Sequence, residues 1–175
     1  MTPTDKDIAE NVTRISHLDL PGAGQVEVVG NHAYIGHMDP PHGTTILDIS
    51  DLKNPKIVSQ IMLKGEASHT HKARVVGDIM YTNVEQFNRH YMRRGDGIPA
   101  IRVSLTAAGK EPTDANVAAE MNIRESEVAV LDAASKQGYH DGGFKVYDIK
   151  DKAAPKLLKH VRTGGFATHR FDVDE

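Results

Sequence analysis

Residues 43–58 read GTTILDISDLKNPKIV and residues 143–158 read GFKVYDIKDKAAPKLL, one pattern written twice at a displacement of 100. Each copy is an apolar, β-branched-rich run that ends on an Asp (Asp48, Asp148), crosses a polar turn holding a second Asp and a Pro, and resumes as an alternating run. The first run suits a buried strand. In the turn, Asp bonds its own backbone and Pro fixes φ ahead of the next strand, so Asp48 and Asp148 read as turn formers and not as catalytic acids.

Two more elements repeat in the same order. VVGNHAY at 28–34 returns as VVGDIMY at 75–81, displaced by 47, and SHTHK at 68–72 is echoed by ATHR at 167–170, displaced by 98 at the second histidine. The unequal displacements place an insertion of roughly fifty residues inside the second copy. Within the first copy, residues 25–29 alternate up to Gly30-Asn31, a hairpin dipeptide, and HAYIGH at 32–37 returns as the second strand. Residues 44–49 supply a third strand and 56–62 an outer fourth. Four strands in a unit of this length is the blade of a β-propeller. The fold class expected is therefore all-β, a partial β-propeller of four-stranded antiparallel blades with a short helical insertion. Residues 24–70 form blade one, and 71–85 with 143–168 form blade two. Residues 86–142 are the insertion, and 169–175 open a third blade. Residues 1–23 lead in, with 8–20 read as a ring-closing outer strand.

The segments 43–56 and 143–156, with Tyr34 and Tyr81 on the hairpins before them, resemble the LVIVD-repeat propellers. The His-rich inner positions more distantly resemble selenium-binding-protein propellers. The first resemblance implies the blade and assigns no activity. A closed propeller has about four to eight blades, so two blades and one strand imply further blades, from the same gene product or a partner chain, with a homo-oligomer as one solution.

Composition narrows the function classes. The 24 acids against 21 Lys plus Arg leave a net charge of −3, the wrong sign for a whole-domain nucleic-acid footprint. No cysteine is present, which removes disulfides and thiolate metal sites. The polar first residues and the absence of a long apolar run argue for a cytoplasmic protein with no membrane partner. In the insertion, 113–122 (TDANVAAEMN) opens on a cap signal and predicts a helix, and 125–137 (ESEVAVLDAASKQ) predicts a second, stopped by Gly138. IPAIRVSL at 98–105 reads as a short extended run. Between residues 113 and 138 acids outnumber bases, which excludes a DNA-reading helix pair.

Chemistry gathers on the 10 histidines. On a strand, His69 and His71 share one face about 7 Å apart, within reach of one ion. His71 and His169 are repeat equivalents before the innermost strand, where pseudo-rotation brings successive blades onto the central channel. The first blade has Gly24 at that place. His69, His71 and His169 are thus the metal candidates, with His37, His42, His90 and His140 in neighbouring loops as secondary ones. His17, His32 and His160 read as ordinary hydrogen-bonding or exposed residues. Imidazole and carboxylate donors suit Fe, Mn, Zn or Cu(II). Lys72, Arg74 and Arg170, together with the Arg93-Arg94 pair, are candidates for binding an anionic substrate, with solvated surface as the ordinary reading. No Ser-His-Asp order, phosphate loop or paired-carboxylate motif is present. Three readings compete: a metal-dependent enzyme acting on a small molecule, a non-catalytic interaction scaffold, and a partial propeller completed by another chain.

Overall fold

The computed structural model describes residues 11–165 and 167–174. Two antiparallel sheets carry the repeat. In the first, β1 (Ala23–Val29), β2 (His32–His37), β3 (His42–Asp48) and β4 (Lys56–Met62) pair in chain order. In the second, β5 (Ser68–His69) and β6 (Ala73–Val76) pair end to end with β7 (Ile79–Gln86), which is followed by β8 (Gly143–Asp148) and β9 (Lys156–Arg162). The two sheets repeat in detail. The β1–β2 and β6–β7 hairpins turn on Gly30 and Gly77, at φ 57° and 56°, where a side chain would be strained. Asp48 Oδ1 accepts from the Ser50 N–H at 2.8 Å and Asp148 Oδ1 from the Lys150 N–H at 2.9 Å, the turn role expected of both. A register shift falls at Ile46/Leu47 and again at Val146/Tyr147.

The sheets stack face to face. Tyr34 and Ile46 from the first, with Val58 and Ile61 beside them, pack against Ala73, Val75, Met80, Tyr147 and Ile149. At the outer end of this interface the Ser59 hydroxyl donates to the Lys152 carbonyl at 2.7 Å. At the inner end β1 and β6 touch, and the Gln25 N–H donates to the His71 carbonyl at 3.1 Å. The opposite face of the first sheet holds Ala33, Ile35 and Leu47, buried with help from Leu20, alongside Val26, Val28 and Ile57, which remain about half exposed. Among the described residues there are two sheets, and no ring closes.

The insertion is helical: α1 (Arg89–Met92), a 3-10 turn (Arg93–Gly97), α2 (Ile98–Ala107), α3 (Asp114–Met121) and α4 (Glu125–Gln137). Thr113 caps α3 by accepting the Asn116 N–H at 3.3 Å, and Gly138 ends α4 at φ 68°, as the sequence signals predict. IPAIRVSL corrects the extended reading. Pro99 begins a helix, and Ile98, Ile101 and Leu105 fall at helical spacing and join Val117, Val128 and Leu131 in a core separate from that of the sheets. Helical periodicity outweighed the β-branched residues.

Two other strand readings are not met in this structure. Residues 11–20 form no strand, and the rest of the ring-closing candidate, 8–10, lies outside the described residues. Residues 169–174 also carry no strand; Arg74 of β6 bonds Asp172 and Lys72, just before β6, bonds the Phe171 carbonyl, both through their side chains and not through a backbone ladder. Residue 175 lies outside the described residues. No helix among the described residues is long and apolar enough to cross a membrane.

Ile46 is fully buried at the centre of the stacked interface. Truncation to alanine in such a core costs about 2–5 kcal/mol. Urea unfolding of Ile46→Ala is expected to show a loss in that range, whereas Val103→Ala, on the exposed side of α2, should unfold within about 0.5 kcal/mol of the parent.

Candidate functional site

Residues 70–72 interrupt the inner strand between β5 and β6, and the interruption builds the site. The Thr70 N–H turns to the first sheet and donates to the His37 carbonyl at 3.1 Å. The next two backbone donors, of His71 and Lys72, would then be buried without partners. Asn83 on β7 supplies one: its Oδ1 accepts both, at 3.1 and 2.9 Å. Close approach of this segment to the first sheet needs Gly36, because a Cβ there would collide with the His71 and Lys72 backbone.

Asn83 also sets the state of His71. With Oδ1 committed to two N–H groups, its Nδ2 donates to the Thr168 carbonyl at 3.2 Å and to His71 Nδ1 at 3.0 Å. Nδ1 of His71 is therefore the acceptor, and the ring proton sits on Nε2, which donates to the His169 carbonyl at 3.0 Å.

Beside Asn83 on the same face of β7 stands Glu85, only 2% exposed. Its Oε2 lies 3.6 Å from His69 Nε2, 3.7 Å from His71 Nδ1 and 2.7 Å from His169 Nδ1, while Oε1 takes an ion pair from Arg89 of α1 at 2.6 Å. A carboxylate this deep is stable only when paired, and the Arg89 guanidinium on Oε1 and the hydrogen bond from His169 Nδ1 on Oε2 provide the pairing. The three rings lie in a row beside it, tilted to one another, with His69 to His71 at 5.4 Å and His71 to His169 at 4.8 Å between centroids. Burial pushes His69 and His71 below the ordinary imidazole range, against the opposing pull of Glu85. Both are then neutral near pH 7, the form that ligates metals.

The donor atoms of His69, His71 and Glu85 lie within 4.8 Å of one another. Two ligands at about 2.1 Å from a tetrahedral ion stand about 3.4 Å apart, close to the His–Glu separations here. His69 Nδ1 is buried with no partner, whereas His71 Nδ1 would have to exchange the Asn83 amide for an ion. A half-open pocket of about 310 Å³ leads to the group, lined by Met38, Phe87, Arg89, His90, Tyr91 and His169 among others. Its floor is sheet and its wall is the start of the insertion.

The structure thus brings His69, His71 and His169 together, and His90 lines the same pocket. His140 lies at a different pocket, against Ser135 and Tyr139. His37 and His42 sit 5.6 Å apart in the first sheet, and both nitrogens of His37 are engaged, with the Pro21 carbonyl and the Thr45 hydroxyl. Of the expected anion-binding cations, Lys72 reaches the Phe171 carbonyl, Arg74 pairs with Glu27 and Asp172, and Arg170 is exposed; none lines the pocket, whose cation is Arg89. Glu85, Asn83 and Arg89 were not expected from the sequence. A signal for the first two exists: aligned on the repeat, Tyr81, Asn83 and Glu85 replace Tyr34, Gly36 and Met38 on one strand face.

Residues 22–62 match the LVIVD repeat. The LVIVD match covers β1 to β4, the whole first sheet, and the second sheet repeats that LVIVD unit strand for strand. It carries no support for the more distant selenium-binding likeness. No curated protein and no solved structure matches the chain.

Two outcomes follow from the site. Asn83→Ala strands two buried N–H groups, so denaturant unfolding should show a loss of at least about 2 kcal/mol, and nitrogen-detected NMR should show His71 losing its fixed Nε2–H tautomer. The folded protein also resists protonation of His37, His69, His71 and His160, all lowered by burial from the ordinary 6.5. The unfolded chain takes up those protons first, so in metal-free protein stability is complete above about pH 6.5 and declines as pH falls from there through the lower folded values. Thermal melts between pH 8 and 5 read this directly; a flat profile is the contrary result.

Proposed function

We propose that this chain contributes two neighbouring blades of a β-propeller and that the pocket at their inner edge binds a divalent transition metal together with a small anionic molecule. The observation that carries the metal reading is the buried Glu85 carboxylate with two neutral imidazoles about 3.6 Å from one of its oxygens. Two imidazoles and one carboxylate suit Fe, Mn, Zn or Cu(II), and the open side of the pocket leaves room for a water or an exchangeable ligand. His169, 47% exposed, stands at the mouth as a fourth donor. An ion so held lowers the pKa of bound water or polarises a bound oxyanion. Arg89 and His90 on the wall supply the positive and hydrogen-bonding groups that favour an anion.

The propeller reading rests on the two consecutive sheets stacked face to face and on the LVIVD match. Val26, Val28 and Ile57 share one face of the first sheet at 58%, 57% and 47% exposure, as expected where another blade packs. That blade comes from the same gene product or from a partner chain. This face also supports the alternative of a non-catalytic scaffold, and metal content separates the two.

Elemental analysis after reconstitution with each of the four metals is expected to give one ion per chain. His71→Ala and Glu85→Gln should lower retention at least tenfold, with circular dichroism unchanged for Glu85→Gln. A parent protein that holds no ion after reconstitution, or one whose content is the same in both variants, removes the metal reading.

A further inference from the structure

A second polar group lies between the two sheets, away from the Glu85 pocket. Lys145 on β8 and His160 on β9 are direct cross-strand partners, and the row continues to Thr82 on β7. Cross-strand partners hold their Cβ atoms about 4.5–5.5 Å apart, so Lys145 and His160 can meet one ligand. The His160 side chain is 13% exposed and its Nε2 is buried with no hydrogen-bond partner; Nδ1 faces Asp141 at 3.7 Å. Lys145 is part-buried and, among the described residues, makes no hydrogen bond or ion pair. The charges acting on it are Asp141, Arg162 and Lys64, and Asp141 is already paired with Arg162 at 3.2 Å. Around the part-buried Lys145 ammonium stand two cations and one acid, and that acid is shared with Arg162. Desolvation holds the Lys145 amine below the usual lysine range, against the opposing pull of Asp141.

The same positions in the first sheet show what a self-contained solution looks like. There Thr45 and Gln60 stand in the places of Lys145 and His160. Gln60 Nε2 donates to Thr45 Oγ1 at 3.4 Å, and that hydroxyl is also bonded to His37 Nε2 at 2.8 Å. The network is neutral and closed. In the second sheet its counterpart is charged and open, a costly arrangement in a sheet interface unless something completes it.

We propose that Lys145 and His160, with Lys64 and Arg162 at the rim, form a binding site for a small dianionic oxyanion, inorganic phosphate or the phosphate group of a monoester. Lys145 donates charge-assisted hydrogen bonds to the oxyanion, and His160 Nε2 meets one further oxygen, accepting from it when that oxygen is protonated. Arg162 and Lys64 add attraction from the solvent side. This site is independent of the metal reading, since none of its residues lines the Glu85 pocket.

The test is titration of the full chain with inorganic phosphate and, separately, phenyl phosphate, in the presence of EDTA, followed by calorimetry and amide chemical shifts. The parent is expected to bind, with shifts centred on Lys145 and His160. Lys145→Met should weaken binding roughly tenfold or more, the loss expected for one charge-assisted contact. The double variant Lys145→Thr/His160→Gln, which restores the first sheet's pair, should stay folded and bind neither ligand. Glu85→Gln should bind as the parent does. Equal affinity for the two ligands assigns the site to the phosphate group, and tighter phenyl phosphate to a monoester. No heat or shift with either ligand, unchanged binding in the double variant, or loss of binding in Glu85→Gln each overturns the proposal.

Discussion

Three residues of backbone, 70–72, have to satisfy two sheets at once. Thr70 and His71 bond to the first sheet, and the donors left behind would be orphaned inside the protein if Asn83 did not accept both. A buried N–H without a partner costs about 1–3 kcal/mol, so the amide of Asn83 is a structural requirement before it is anything else. Gly36 is the matching requirement on the other side, since only a residue without Cβ lets the segment approach. Once these two conditions hold, β5 and β6 are fixed at their offset along β7, and the side chains of His69 and His71 come to the face that carries Glu85. Site and fold are therefore one problem: the residue that repairs the backbone break also fixes the tautomer of the histidine beside it.

The insertion completes the arrangement. Glu85 ends the inner part of β7, and Arg89 reaches back to it from the first helical turn. Phe87, between them, sets its ring edge-on to His69 at 6.1 Å. The carboxylate is thus held on Oε2 by the imidazole of His169 and on Oε1 by the guanidinium of Arg89, which divides its two oxygens between the segment after β9 and the insertion. His69, His71 and Glu85 would hold a proposed cation on the side away from Arg89, whose ion pair is made with the other carboxylate oxygen, Oε1. Occupancy of the pocket and anchoring of the first helix need not oppose each other.

Much of the framework is legible in the sequence because its causes are local. The Asp–Pro turns, the glycine hairpins and the α3 and α4 boundaries each depend on residues within a few positions of one another, and the repeat doubles the signal. The grouping of His71 with His169 is legible for the same reason, since repetition substitutes for spatial information. Asn83 and Glu85 escape notice because their meaning arises from partners 11 to 85 positions away, and Arg89, only four positions from Glu85, acquires a role only once that carboxylate is seen to be buried. Residues 98–105 mislead in the other direction. Ile and Val suggested extension, but the apolar side chains fall on one helical stripe, and α2 has a core of its own to bury it. Residues 169–174 illustrate a further limit, because a strand is a property of a pair and among the described residues none pairs with this segment.

The whole helical insertion hangs from neighbouring rungs of a single ladder. Val84 and Gly143 face each other across β7 and β8, so the chain leaves the sheet and rejoins it at almost the same point. Gly143 is the counterpart of Gly43, and at both a Cβ would strike the adjoining outer strand, so the return is anchored by the same close contact in both sheets. The helices consequently impose no strain on strand order or register, and their core shares no residue with that of the sheets. Such an exchange point lets the wall of the pocket diversify while the floor is retained. The lining of the pocket wall and the strand framework are then separable traits, free to change at different rates within one chain.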